Sequence, residues 1–125
     1  MKNSMEILII DDDSKNIFAL SAVLKAKKLH CVSSQSAMEG FKILENNPNI
    51  GVVLMDMMMP EMDGYEAIKK MKSSEKLKNI PVVAITAQAM TGDREKCLEA
   101  GADGYISKPV NIDELMEILN KIIVK

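Results

Sequence analysis

Aromatic side chains are scarce in this chain: two Tyr, two Phe and no Trp among 125 residues. Ile, Leu, Val and Met must therefore fill the interior, and the eleven Met read first as adaptable core filler. Cysteine is almost as rare. Cys31 and Cys97 stand far apart and lack the clustered spacing of a metal site, so two buried, reduced thiols are expected. The one histidine, His30, falls in a weak strand and reads as an edge residue without a role. An excess of either charge is missing as well. The net charge of −2 gives no electrostatic footprint for nucleic acid or for an anionic membrane. No apolar run approaches membrane-spanning length, and "MKNSMEILII" is too short in its apolar part for a signal peptide. A cytoplasmic protein is expected, with no nucleic acid and no membrane among its partners.

What remains is ordinary for a globule, with 47% hydrophobic and 27% charged residues. The length suits a single domain over residues 1–125, large enough to bury a core without disulfides or metal staples. Apolar runs alternate with amphipathic segments. Strands are expected at 6–10, 30–34, 51–56, 81–87 and 104–108. Helices are expected at 14–28, opened by a capping Ser14, and at 37–46, where Gly40 weakens the pattern. Three more follow at 64–74, at 92–101 with Gly101 as the stop, and at 111–124. Strict alternation argues for a parallel sheet covered on both faces, with right-handed crossovers. Five strands point to a flavodoxin-like α/β sandwich of three layers in order 2-1-3-4-5, whose ligand site lies outside the carboxyl ends of the strands.

That rule gathers particular residues along one edge. The first strand ends in Asp11-Asp12-Asp13, the third in Asp56, the fourth in Thr86 and the fifth in Lys108-Pro109. Taken singly, each has a bland reading as a cap, a turn residue or a solvated charge. Together they pose a problem of charge. Two carboxylates about 4 Å apart repel by roughly 4 kcal/mol at an effective dielectric of about 20. A domain whose whole stability is about 5–15 kcal/mol needs cations there. Lys108 supplies one charge and a divalent metal the rest. Mg²⁺ fits, being held by one or two carboxylates, waters and phosphate oxygens. An acidic pocket holding Mg²⁺ can receive a phosphoryl group. Asp56, fixed at the end of the buried run "GVVLMD", is then placed as a nucleophile toward phosphorus. Asp12 would hold the metal directly, Asp11 directly or through water, and Lys108 and the Thr86 hydroxyl would take phosphoryl oxygens.

"ILIIDDD", "LMDMMMPEMDGYEA", "VVAITAQA" and "GADGYISKP" resemble, in order, the motifs of receiver domains, the phosphoacceptor modules of two-component response regulators. The resemblance covers essentially the whole chain. "DDDSKNIFAL" and "MMMPEMDGYE" look most like receivers attached to hybrid sensor histidine kinases, although stand-alone regulators share them. It implies that Asp56 takes phosphate from a phosphohistidine on a histidine kinase or histidine phosphotransfer protein. It also implies Mg²⁺ at Asp11, Asp12, Asp56 and the backbone carbonyl of Met58, and a cis Lys108–Pro109 bond. Thr86 and Tyr105 fall where receivers carry their switch pair. Output is then expected at the face made by the fourth helix, fifth strand and fifth helix, with a monomer or a phosphorylation-dependent dimer. Met58 and Gln88 occupy positions that tune phosphoryl lifetime in such domains; a thioether guides water poorly, so Met58 is expected to prolong it.

Three rivals carry distinct signatures. A metal-dependent phosphatase with an aspartyl nucleophile bears a second acid two residues on, where this chain has Met58. A nucleotide- or flavin-binding relative should bring glycines or hydroxyls to its first loop, which here reads "DDDSKN". A receiver-like module that is not phosphorylated would have lost members of the set Asp11, Asp12, Asp56, Thr86 and Lys108, which is intact. The function expected is that of a phosphoacceptor rather than an enzyme.

Overall fold

The computed structural model describes residues 6–59, 63–87 and 92–123. Five strands and five helices alternate: β1 (Glu6–Ile10), α1 (Ser14–Ala26), β2 (His30–Ser34), α2 (Ala37–Asn46) and β3 (Ile50–Asp56) come first. α3 (Gly64–Lys72), β4 (Val82–Thr86), α4 (Asp93–Ala100), β5 (Gly104–Ser107) and α5 (Ile112–Ile123) complete the chain. The strands pair in parallel in the order β2-β1-β3-β4-β5, the flavodoxin-like order expected from the alternation.

The period of two along each strand sorts the core into two halves. Leu8, Ile10, Val53, Met55, Val82 and Ala84 face α2, α3 and α4, where Phe41, Leu44, Ile68, Met71 and Cys97 pack against them. Ile7, Ile9, Val52, Leu54, Val83 and Ile85 face α1 and α5, meeting Leu24, Leu115 and Leu119. β3 is buried along nearly its whole length and sits between β1 and β4, so its end is held from both sides.

Several local expectations shift. Asp13, not Ser14, caps α1, its carboxylate accepting from the Lys15 N–H at 2.9 Å. α1 stops at Ala26 because the chain turns through a left-handed Lys28. β4 begins at Val82, since Pro81 has no N–H to give a ladder; its carbonyl instead accepts from Val53 N–H at 2.9 Å. α3 ends at Lys72, and Gly101 closes α4 with φ of 119°. Gly40, read from sequence as a weak point of α2, has a packing reason: a Cβ there would lie 2.5 Å from Ile10 Cδ1. The thiols are both free, but only Cys97 is buried; Cys31, on the edge strand β2, is half-exposed. Met55, Met57, Met59 and Met71 do fill the core, whereas Met38 and Met58 are exposed. No helix among the described residues is long and apolar enough to cross a membrane.

Candidate functional site: an acidic rim at the carboxyl edge

β1 and β3 are neighbours in register, Ile10 opposite Met55, so the residues after each strand emerge side by side. Asp11, Asp12 and Asp56 accordingly converge, each offering a carboxylate oxygen within 4.8 Å of the others. Asp11 and Asp56 are buried and Asp12 is exposed. Local hydrogen bonds aim the two buried acids. The Asp13 N–H donates to Asp11 Oδ1 at 2.9 Å, and the Met58 N–H donates to Asp56 Oδ1 at 3.1 Å. The run of three aspartates thus divides its labour: Asp11 points into the rim, Asp12 stands at its mouth, and Asp13 caps α1 while holding Asp11.

Lys108 arrives from the other side of the sheet. Its Nζ lies 3.8 Å from Asp11 Oδ2 and 3.7 Å from Asp56 Oδ1. It is positioned by β5 and by its own N–H, which donates to the Thr86 carbonyl at 2.7 Å, ahead of a cis Lys108–Pro109 peptide. Thr86 is buried at the end of β4. The Met57 N–H donates to the Ile85 carbonyl at 2.9 Å, and Gly64 lets α3 approach so closely that a Cβ would sit 2.8 Å from Met57 Cα. The segment after Asp56 is therefore clamped between β4 and α3. The Met58 side chain projects outward, 46% exposed, while Met57 and Met59 are buried.

One lysine does not neutralise three acids. Burial pushes the Asp11 carboxyl up to about 6; the Asp13 N–H opposes this, the Asp56 charge adds to it, and the Lys108 charge pulls back. Burial is the larger cause of that rise, and the Lys108 charge does not offset it. Donors that are all oxygens, two of them on rigid strand ends, suit a hard dication such as Mg²⁺. The sequence-expected residues Asp11, Asp12, Asp56, Thr86 and Lys108 all fall on this one edge. Gln88 and Pro60 lie outside the described residues. Tyr105 stands elsewhere, on β5 two residues before the partner of Thr86 in the ladder.

A group that sequence reasoning missed sits with Tyr105. The Tyr105 hydroxyl donates to Asp93 Oδ2 at 2.8 Å, and the Tyr65 hydroxyl donates to Asp93 Oδ1. The three residues come from β5, α4 and α3, and no local spacing in the sequence links them.

The model of the response regulator receiver domain family matches residues 7–120. The chain is 31% identical over 117 residues to the rice two-component response regulator ORR5, covering 94% of this chain and 87% of that one. It superposes with a TM-score of 0.86, at 31% identity, on the receiver domain of the Pseudomonas aeruginosa sensor histidine kinase PA1611, solved with magnesium in its active-site cleft; 97% of this chain and 98% of that one are covered. The Saccharomyces cerevisiae Ssk1 receiver, crystallised with the histidine phosphotransfer protein Ypd1, is 25% identical with a TM-score of 0.86, over 96% and 89% of the two chains. The chain belongs to the response regulator receiver domain family. It is a phosphoacceptor signalling module of the two-component type rather than a classical enzyme.

Proposed function

We propose that Asp56 accepts a phosphoryl group from a phosphohistidine on a histidine kinase or histidine phosphotransfer protein. The observation that carries this reading is the convergence of Asp11, Asp12 and Asp56 with Lys108 within 4.0 Å of two of them. An Asp56 carboxylate oxygen bonds to phosphorus as the phosphorus–nitrogen bond breaks, and that electron pair returns to the imidazole. Lys108 and the Thr86 hydroxyl take up charge on the phosphoryl oxygens. Asp11, Asp12, Asp56 and the Met58 carbonyl would hold Mg²⁺, which supplies the remaining positive charge for the incoming phosphoryl group. The Asp13 and Met58 N–H groups keep the two buried carboxylates oriented.

The donor has a surface to approach. A cavity of about 520 Å³ opens beside the rim between α1 and the segment after β5, lined by Asp11, Leu20, Val23, Lys108, Val110 and Ile112. Phe18 stands out of α1 with 76% of its surface exposed. A protein bringing a phosphohistidine to Asp56 covers this apolar ground, which lies directly beside Asp11 and Lys108. Thr86 and Tyr105 form the switch pair, and downstream proteins or a second copy read the face of α4, β5 and α5. The family match over 7–120 supports treating 1–125 as one receiver; its site of action, on this reading, is the cytoplasm.

Incubation with acetyl phosphate or a phosphohistidine donor, with and without Mg²⁺, tests the reading. Wild type should gain a phosphoryl group only with Mg²⁺, and Asp56→Asn should gain none. Equal incorporation by Asp56→Asn, or incorporation indifferent to Mg²⁺, would overturn it.

A further inference from the structure

Away from the acidic rim, three elements meet on one carboxylate. Asp93 opens α4, a helix of eight residues that buries only Cys97 and Ala100. Its N-cap, Gly92, has no side chain with which to cap. Two phenols do the anchoring instead: Tyr65 from the start of α3 on Asp93 Oδ1, and Tyr105 from β5 on Asp93 Oδ2 at 2.8 Å. The Lys96 ammonium lies 4.5 Å from the centre of the Tyr65 ring, adding a cation–π contact between the same two helices. These are the only two tyrosines in the chain. Burial, and then the Asp93 carboxylate, push the Tyr105 phenol up to about 12. The Tyr65 phenol is raised further, first by its hydrogen bond to Asp93. Both phenols remain protonated donors at any physiological pH.

An acid in the first turn of a helix needs no special role, since it complements the helix dipole. Engagement of both carboxylate oxygens by side chains 28 and 12 residues away does call for one. On the switch reading the Tyr105 ring turns in behind Thr86, and a hydroxyl held on α4 at 2.8 Å opposes that turn. We propose that Asp93 is a positioning residue that latches Tyr105 to Tyr65 and so opposes the switch, setting how readily the domain answers phosphorylation. The inference rests on the reading of Thr86 and Tyr105 as the switch pair. Because coupling is reciprocal, whatever weakens the latch must tighten the hold on a phosphoryl group, and whatever occupies the phosphoryl position must loosen the latch. A helix that sets only Cys97 and Ala100 into the core suits such a device, for little packing opposes its shift.

Beryllium fluoride, a phosphoryl mimic, provides the test, titrated into the full chain with Mg²⁺ at saturation. Asp93→Ala should bind it about tenfold more tightly than wild type, inside the roughly 5- to 150-fold range of such couplings. Asp93→Asn keeps the shape and one acceptor oxygen, so its affinity should tighten about threefold, below that range. Mg²⁺ affinity measured alone should not move. With no Trp present, emission reports these two rings only. It should change on binding in wild type and far less in Asp93→Ala. If Asp93→Ala does not fold, Asp93→Asn decides. Affinity unchanged or weakened in the folded variants, even with a lowered melting temperature, overturns the latch alone. Wild type that takes neither beryllium fluoride nor phosphoryl overturns the phosphoacceptor reading and the latch with it.

Discussion

The acidic rim and the Asp93 cluster are both polar groups gathered from distant parts of the chain, yet they are built in opposite ways. At the rim, like charges crowd the ends of β1 and β3, strands whose side chains are almost entirely buried, and a single lysine reaches two of the three acids. At α4, one carboxylate is matched by two phenol donors, on a helix that buries only two side chains. The rim is under-neutralised and held rigidly; the cluster is satisfied and held loosely. Charge left uncompensated on a frame that cannot relax is available to a ligand. Polar groups that satisfy one another on a movable element store a preference between two arrangements instead. Chemistry and its readout thus occupy structures of different stiffness.

The largest expected effect tests that difference in stiffness. Ile68 on α3 is fully buried against the sheet, and Ile68→Ala should cost about 2–5 kcal/mol of unfolding free energy. Leu98 on α4 is 42% exposed, and Leu98→Ala should change stability by no more than about 0.5 kcal/mol. Urea denaturation of the two variants checks both. A large loss at Leu98 would mean that α4 is anchored as firmly as α3, and the contrast would fail.

Next in size is a substitution that splits two roles of one charge. Removing the Lys108 ammonium by Lys108→Ala takes away a partner of the phosphoryl oxygens, and the rate of phosphoryl uptake should fall about 100-fold. The same change leaves Asp11 and Asp56 without their cation at 3.8 and 3.7 Å, so Mg²⁺ affinity should rise. Opposite signs in the two assays, uptake from acetyl phosphate and direct Mg²⁺ titration, are the expected result. Weaker Mg²⁺ binding would show that Lys108 maintains the shape of the rim rather than competing for its charge.

How much of this was legible beforehand follows the same divide. The rim could be read from sequence because strand ends are marked by a change from apolar runs to charge, and one topological rule carries all of them to a common edge. Asp11, Asp12, Asp56, Thr86 and Lys108 needed only strand order to be placed together. Finer details depended on which atoms meet. Asp13 rather than Ser14 caps α1 because the chain leaves β1 with Asp13 already extended, a backbone choice that composition does not express. Gly40 looked like a defect until Ile10 was found pressed against it. Asp93 was invisible: in sequence it is one more acid at a helix start, and its partners Tyr65 and Tyr105 belong to elements whose angles no pattern specifies.

The smallest effect separates the two clusters by pH. Burial, reinforced by the Asp56 charge, pushes the Asp11 carboxyl from its ordinary 3.8 up to about 6, whereas both phenols of the Asp93 cluster are shifted upward, away from neutrality. A folded value above the unfolded one means that the metal-free native state binds the extra proton between those limits. The contribution of Asp11 to stability is therefore full below about 3.8 and is lost as pH rises through about 6. Magnesium competes with that proton for the same oxygens, so its apparent affinity should fall by up to about tenfold per pH unit below the folded value. The stabilisation that Mg²⁺ confers, read as a shift in melting temperature, should accordingly be greatest near neutrality and shrink on acidification. In Asp11→Asn the metal-free protein should lose the corresponding step. Beryllium fluoride affinity at saturating Mg²⁺, set in part by the Asp93 latch, should show no transition of its own in this window beyond the one Asp11 imposes. Stabilisation by Mg²⁺ that stayed constant down to about pH 5, a full unit below the folded value, would mean that Asp11 is already ionised there and that the rim is less starved of positive charge than its geometry indicates.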